Sequence, residues 1–225
     1  MWIEGAIFDL DGTLTDSMYI WDEAPKALVR RFGGNPPEDL ASDLKEMGRR
    51  EASEYLINTF HMDCTPEEAM AAINELVTVE YRERVPLKPG AARLLECLAS
   101  RGVPCAVATA SETFQAQDAL ERSGVWRYFQ FAVSSIQYGP KTGPEVYLEA
   151  ARRLGSAPER TLVFEDALHA AQTAKTAGFL TAGVYDPSAE SDQETLKQIC
   201  SWYLPRLDDP DFLNALCVPY STPIP

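Results

Sequence analysis

Histidine is nearly absent from this chain, with His61 and His169 the only two in 225 residues. That leaves little material for histidine-based metal centres or nucleophilic triads. Nor does the sequence contain Gly-x-Ser-x-Gly, His-Glu-x-x-His, or a complete Walker loop around Lys141-Thr142. The five cysteines, Cys64, Cys97, Cys105, Cys200 and Cys217, are odd in number and never spaced Cys-x-x-Cys. Buried reduced thiols in a cytoplasmic protein are the expectation, not a disulfide framework. Positive charge is in short supply: 20 Lys and Arg stand against 34 Asp and Glu, a net charge of −14 with a pI near 4.6. Such a chain repels nucleic-acid backbones at long range, so no nucleic-acid partner is expected. No apolar run approaches the roughly 20 residues a bilayer-spanning helix needs, so no membrane partner is expected either. No basic n-region or cleavage site precedes the first strand-like run, and no internal repeat or low-complexity segment is found.

What is present is 45% hydrophobic content, enough for one good core with length left for a smaller second unit. The stretch from Ala6 to Ser17 organises the rest. A short apolar run, Ala6-Ile7-Phe8, ends in two acids one residue apart and a glycine, which reads as a buried strand stopping at a tight turn. Asp9 and Asp11 sit at alternate positions and leave the strand end on the same side. Two carboxylates forced together need a cation or a shared proton. A hard divalent ion such as Mg²⁺ takes oxygen ligands, and a proton-holding acid can serve a leaving group. Gly12 lets backbone approach a ligand, and N–H groups of the turn at Gly12 and Thr13 can cradle an anion.

After the turn, residues 16–85 carry helical signals almost exclusively. The reading is four helices: from Asp16 or Ser17 through Arg31, Asp39 to Lys45, Glu51 to Phe60, and from Thr65-Pro66-Glu67-Glu68 to about Arg84. Pro86-Leu87-Lys88-Pro89-Gly90 is a return linker. Helix and strand signals then alternate, as in a parallel α/β sheet. The predicted strands are 104–108, 130–133, 161–164 and 180–184, with helices between them. Open parallel sheets bind ligands beyond the carboxyl ends of their strands. Asp9, Thr109 and Glu165-Asp166 stand at such ends, and Lys141 lies in the loop after another.

Asp9-Leu10-Asp11-Gly12-Thr13, Thr109-Ala110-Ser111, Lys141-Thr142-Gly143-Pro144 and Val163-Phe164-Glu165-Asp166 together resemble, in order, the four motifs of the haloacid dehalogenase (HAD) superfamily. The resemblance implies an α/β fold: a Rossmann-like parallel sheet core with helices on both faces, residues 1–15 and 86–225, plus a small α-helical cap domain, residues 16–85. It implies a Mg²⁺-dependent phosphatase of a small phosphorylated metabolite, in which Asp9 is the nucleophile that becomes an aspartyl-phosphate and Asp11 is the general acid/base. Mg²⁺ would be held by Asp9, a backbone carbonyl at Asp11, Asp166 and Glu165. The phosphate would be bound by Thr109, the backbone at Ala110, the turn at Gly12 and Thr13, and Lys141, which also steadies the nucleophile.

Some residues depart from the family pattern. Ala167, His169 and Ala170 stand where sugar-phosphate relatives usually have Ser, Asn and Gly, and Thr142 follows Lys141 where proline is frequent. Trp21 stands where β-phosphoglucomutase-like relatives carry a relay histidine, which favours hydrolysis over a mutase reaction. Asp11 argues against dehalogenation, and Lys26 is a weak candidate for the cap lysine of phosphonate-cleaving relatives. In the insert, Lys45, Arg49 and Arg50 are candidates for pairing with an anionic leaving group. A monomer or weak homodimer is expected. The alternative of another class is a non-catalytic binding module keeping the fold.

Overall fold

The computed structural model describes residues 2–44 and 47–217. The chain divides into two compact units, Met1–Asp16 with Pro86–Pro225, and Ser17–Val85. In chain order, β1 (Gly5–Phe8) is followed by the four helices of the smaller unit, α1 (Met18–Arg31), α2 (Leu40–Leu44), α3 (Arg49–Phe60) and α4 (Pro66–Glu83). The larger unit resumes with α5 (Ala91–Ser100), β2 (Cys105–Thr109), α6 (Thr113–Arg122), β3 (Phe129–Ser134) and α7 (Ser135–Tyr138). It continues with α8 (Glu145–Leu154), β4 (Thr161–Glu165), α9 (Leu168–Thr176), β5 (Leu180–Val184), α10 (Gln193–Ile199), β6 (Trp202–Leu204) and α11 (Pro210–Cys217).

The six strands form one sheet in the order β3-β2-β1-β4-β5-β6, and every neighbouring pair is parallel. All residues of β1, β2 and β4 are buried, which is why these strands read as unbroken apolar runs instead of alternating. Ile7, Ala108, Val133 and Val163 pack with Val146, Tyr147, Ala150 and Ala151 of α8 and Ala174 of α9 on one face. Their sequence neighbours Phe8 and Phe164 turn to the other face, stacked at 4.2 Å, where Phe212 of α11 meets Phe164 edge-on at 5.9 Å. Helices therefore cover both faces of a Rossmann-like sheet. Strand order reverses at β1, so the crevice for a ligand opens beyond its carboxyl end, where Asp9 stands.

The smaller unit has its own core of Leu28, Val29, Leu40, Leu56, Met62 and Ala69. Helix α4 starts as its sequence dictates: Thr65 Oγ1 accepts the Glu68 N–H at 3.2 Å and Glu68 Oε2 accepts the Thr65 N–H at 2.8 Å, a reciprocal cap. Helix α3 begins two residues before the expected Glu51, because Gly48 supplies an extended N-cap and Arg50 pairs with Glu54 one turn on. Within the larger unit the outgoing and returning segments run together. Asp16 N–H donates to Pro86 O at 3.0 Å and Lys88 N–H to Leu14 O at 2.8 Å. Lys88 Nζ then reaches the end of β5, 2.6 Å from Asp186 Oδ2 and 2.6 Å from Tyr185 O. Among the described residues no helix is long and apolar enough to cross a membrane.

Candidate active site

Asp9 is held at the sheet centre by its own backbone, which donates to Phe164 O at 3.0 Å. The turn beyond it closes on Leu10 O, which accepts the N–H groups of Leu14 and Thr15 at 2.9 Å each. Gly12 adopts a φ of +81°, the left-handed region where a side chain is strained. The expectation that this turn offers free N–H groups meets a different geometry. Gly12 N–H donates to Thr15 O at 3.0 Å and Thr13 N–H to Leu10 O at 3.4 Å, so both are engaged inside the turn. The Thr13 hydroxyl instead donates to Asp166 Oδ1 at 3.1 Å.

Asp9, Glu165 and Asp166 come together as a buried group, each with a carboxylate oxygen within 4.8 Å of the others. Lys141, only 8% exposed, donates from Nζ to Asp9 Oδ1 and to Glu165 Oε1, the latter at 2.7 Å. Tyr147, in the first turn of α8 and fully buried, donates its hydroxyl to the same Glu165 Oε1 at 2.6 Å. Burial pushes the Glu165 carboxyl up, partly countered by Lys141. Burial also pushes Asp166 well up, with Asp9 and Glu165 adding to the effect. For Lys141 burial works against the charge, but Asp9 and Glu165 more than offset it and hold the ammonium raised. Three carboxylates against one ammonium leave, when all are ionised, a surplus of two negative charges in a site cut off from water. A hard divalent cation with oxygen ligands fits that donor set and that charge.

Asp11 lies outside this group of three acids; its Oδ2 accepts the Ser111 hydroxyl at 2.9 Å. Thr109 ends β2 fully buried, its Oγ1 accepting the Ser111 N–H at 2.9 Å, and Ala110 beside it is exposed. His169 is exposed in the first turn of α9, its imidazole pushed down by partial desolvation and by Lys141. In the smaller unit, Lys45 lies outside the described residues. Arg50 is fastened to Glu54 at 3.0 Å and Glu67 at 2.6 Å, and Arg49 is exposed. Trp21 is partly buried. The Lys26 ammonium is hydrogen-bonded to Glu23 at 3.0 Å and lies 3.6 Å from Glu38; these carboxylates raise its pKa, the opposite of what a nucleophilic lysine needs.

Two polar residues of this region escape sequence reasoning. Tyr147 reads as a core position of an amphipathic helix, and Ser111 as a loop hydroxyl. Their partners lie 18 and 100 residues away. The only local signal is that each follows closely on a motif residue, Lys141 or Thr109.

Similarity to known proteins agrees with this geometry. Residues 3–178 match the family model described as haloacid dehalogenase-like hydrolase. A phosphorylated carbohydrates phosphatase of Thermotoga maritima is 29% identical over 177 residues, covering 78% of this chain and 82% of its own. The (DL)-glycerol-3-phosphatase 2 of Arabidopsis thaliana is 28% identical over 227 residues, covering 92% and 94%. A crystal structure of a HAD hydrolase, family IA, variant 3, from Entamoeba histolytica superposes with a TM-score of 0.77 at 22% identity, covering 95% of this chain and 99% of that one. The model match spans well over half of the sequence, and the chain therefore belongs to the haloacid dehalogenase-like hydrolases.

Proposed function

We propose that the chain is a Mg²⁺-dependent phosphatase that hydrolyses a small phosphorylated metabolite, a sugar phosphate or similar monoester, through a phosphorylated Asp9. The observation that carries this reading is the meeting of Asp9, Lys141, Glu165 and Asp166, delivered by three separate loops, at one buried point. The phosphatase names of two relatives that cover most of their own length support the same reaction class.

In this reading the carboxylates of Asp9, Glu165 and Asp166 with the backbone carbonyl of Asp11 would hold Mg²⁺. The ion would supply shielding of the negative charge on the transferring group. Asp9 attacks phosphorus; Lys141 holds Asp9 in line and neutralises the phosphoryl oxygens. Asp11, engaged by Ser111 and set apart from the acidic trio, gives its proton to the departing oxygen and then takes one from the water that releases phosphate. Thr109 and the backbone at Ala110 supply donors to the phosphoryl oxygens, with Gly12 and Thr13 shaping the turn beneath. Residues 16–85 act as the cap that excludes water and selects the leaving group, with residues 1–15 and 86–225 as the catalytic core. The Trp21 indole neither gains nor releases a proton near neutral pH, which supports hydrolysis over a mutase reaction.

The test is phosphate release from a panel of sugar phosphates, glycerol phosphates and phosphoglycolate, with Mg²⁺ and with EDTA. The expected result is Mg²⁺-dependent turnover that Asp9→Asn abolishes while the variant keeps its fold. Turnover undiminished in Asp9→Asn contradicts the mechanism, and absence of turnover on every monoester favours a binding module.

A further inference from the structure

Ser111 is fully buried two residues beyond the carboxyl end of β2, and each of its polar groups is engaged. Its N–H donates to Thr109 Oγ1 at 2.9 Å, its carbonyl accepts the Ser134 hydroxyl at 2.7 Å, and its own hydroxyl donates to Asp11 Oδ2 at 2.9 Å. Ser134 is in turn fixed as the last residue of β3, its Oγ accepting the Ile136 N–H at 3.2 Å. The carboxyl ends of three adjacent strands are thus braced by a chain of hydrogen bonds, and the brace terminates on the carboxyl group of Asp11. Asp11 projects from a turn, where a short acidic side chain has several accessible rotamers. Holding Oδ2 restricts the rotamers open to the carboxyl group and with them the directions its other oxygen can take.

We propose that Ser111 is a positioning residue that aims the Asp11 carboxyl group at the departing oxygen of the substrate. The inference rests on the role given to Asp11 above. In the step concerned, the Asp9 carboxylate forms a bond to phosphorus as the phosphorus–ester oxygen bond breaks. The electron pair of that bond goes to the ester oxygen, which takes the proton of Asp11, so a neutral alcohol leaves and Asp11 is left ionised. A group held by a strand-to-strand brace presents its proton without a search through rotamers, which is the advantage orientation gives to proton transfer.

This account separates substrates by leaving group. An alkoxide departs only with a proton, whereas p-nitrophenolate departs with little need of one. The experiment measures kcat/KM, which reports the steps through phosphoryl transfer to Asp9, for glycerol 3-phosphate and p-nitrophenyl phosphate. It compares the wild-type chain, Ser111→Ala, Ser111→Thr and, as reference, Asp11→Asn. A hydrogen bond to a carboxyl group that becomes charged as its proton leaves predicts a loss of roughly 10- to 100-fold for Ser111→Ala on glycerol 3-phosphate. On p-nitrophenyl phosphate the loss stays within about threefold, and Ser111→Thr, which keeps the hydroxyl, restores most of the difference. Should Ser111→Ala fail to fold, Ser111→Cys, close in size and weak as a donor, provides the same comparison. Equal losses on both substrates, the behaviour of a phosphate contact or a merely structural residue, overturn the proposal while Asp11→Asn still discriminates. If Asp11→Asn itself does not discriminate, the acid role falls and this proposal with it.

Discussion

Glu165 illustrates how side chains from other parts of the chain set the orientation of one carboxylate. Its Oε1 accepts both the Lys141 ammonium at 2.7 Å and the Tyr147 hydroxyl at 2.6 Å, so its orientation is fixed from two sides. Groups that orient a metal ligand typically govern affinity by about one to two orders of magnitude. Tyr147→Phe is therefore expected to weaken Mn²⁺ binding roughly tenfold by titration calorimetry, with the fold kept because the ring still fills its place against Phe179. Unchanged affinity would mean that Lys141 alone orients Glu165. The same residue marks what was legible in the primary structure. The acids and the lysine stand out because charged residues at the ends of apolar runs are conspicuous. A tyrosine on the buried face of a helix looks like any other core residue until its hydroxyl partner, far off in sequence, is known. The turn at Gly12 is a second case: its conformation followed from the glycine, but where its N–H groups point depended on Leu10 and Thr15 folding back over it.

Among elements, the strands of the sheet interior were readable, and for a physical reason. Gly5–Phe8, Cys105–Thr109 and Thr161–Glu165 are covered on both faces, so each is a continuous apolar run ended by a polar residue. Strand β6 is only Trp202–Leu204, an edge strand with two half-buried residues, too short to show any period. Sequence reasoning gave no assignment there or to α10 and α11, whose place is set by packing, as with Phe212 against Phe164 and Trp202. The paired segments joining the two units were foreshadowed only as a proline-rich linker. Their anchorage depends on Lys88 and Asp186, 10% and 2% exposed, which form an ion pair at 2.6 Å without the angle of a directed hydrogen bond. Removing one partner of a buried pair strands the other charge, at a cost of about 3 kcal/mol. Lys88→Met should lower stability by about that amount in urea unfolding. A loss below about 0.5 kcal/mol, the usual scale for surface substitutions, would show the pair to be a solvated one.

For the whole molecule, the net charge of −14 and the buried acidic trio act in the same direction, since both resist further negative charge unless a cation is present. Burial, Asp9 and Glu165 raise Asp166 above its ordinary value of 3.8. Between the ordinary carboxylate range and that raised value, the metal-free folded chain therefore binds more protons there than the unfolded chain. Where the native state binds more protons, stability falls as pH rises, from the ordinary carboxylate range up to the raised pKa. Asp166→Asn removes this liability. In EDTA its melting temperature relative to wild type is expected to climb between pH 4 and pH 8, and in Mg²⁺ wild type should regain the advantage through ligand binding to the native state. A difference that does not vary with pH or Mg²⁺ would contradict the account of the trio as a cation site. The most direct measurement is a crystal structure of the chain grown with Mn²⁺ and beryllium fluoride, using the manganese anomalous signal. The account predicts one strong peak touched by Asp9, Glu165 and Asp166, with the fluoride adduct on Asp9 beside Lys141. A manganese peak away from these three carboxylates, or an adduct on any other residue, would contradict it.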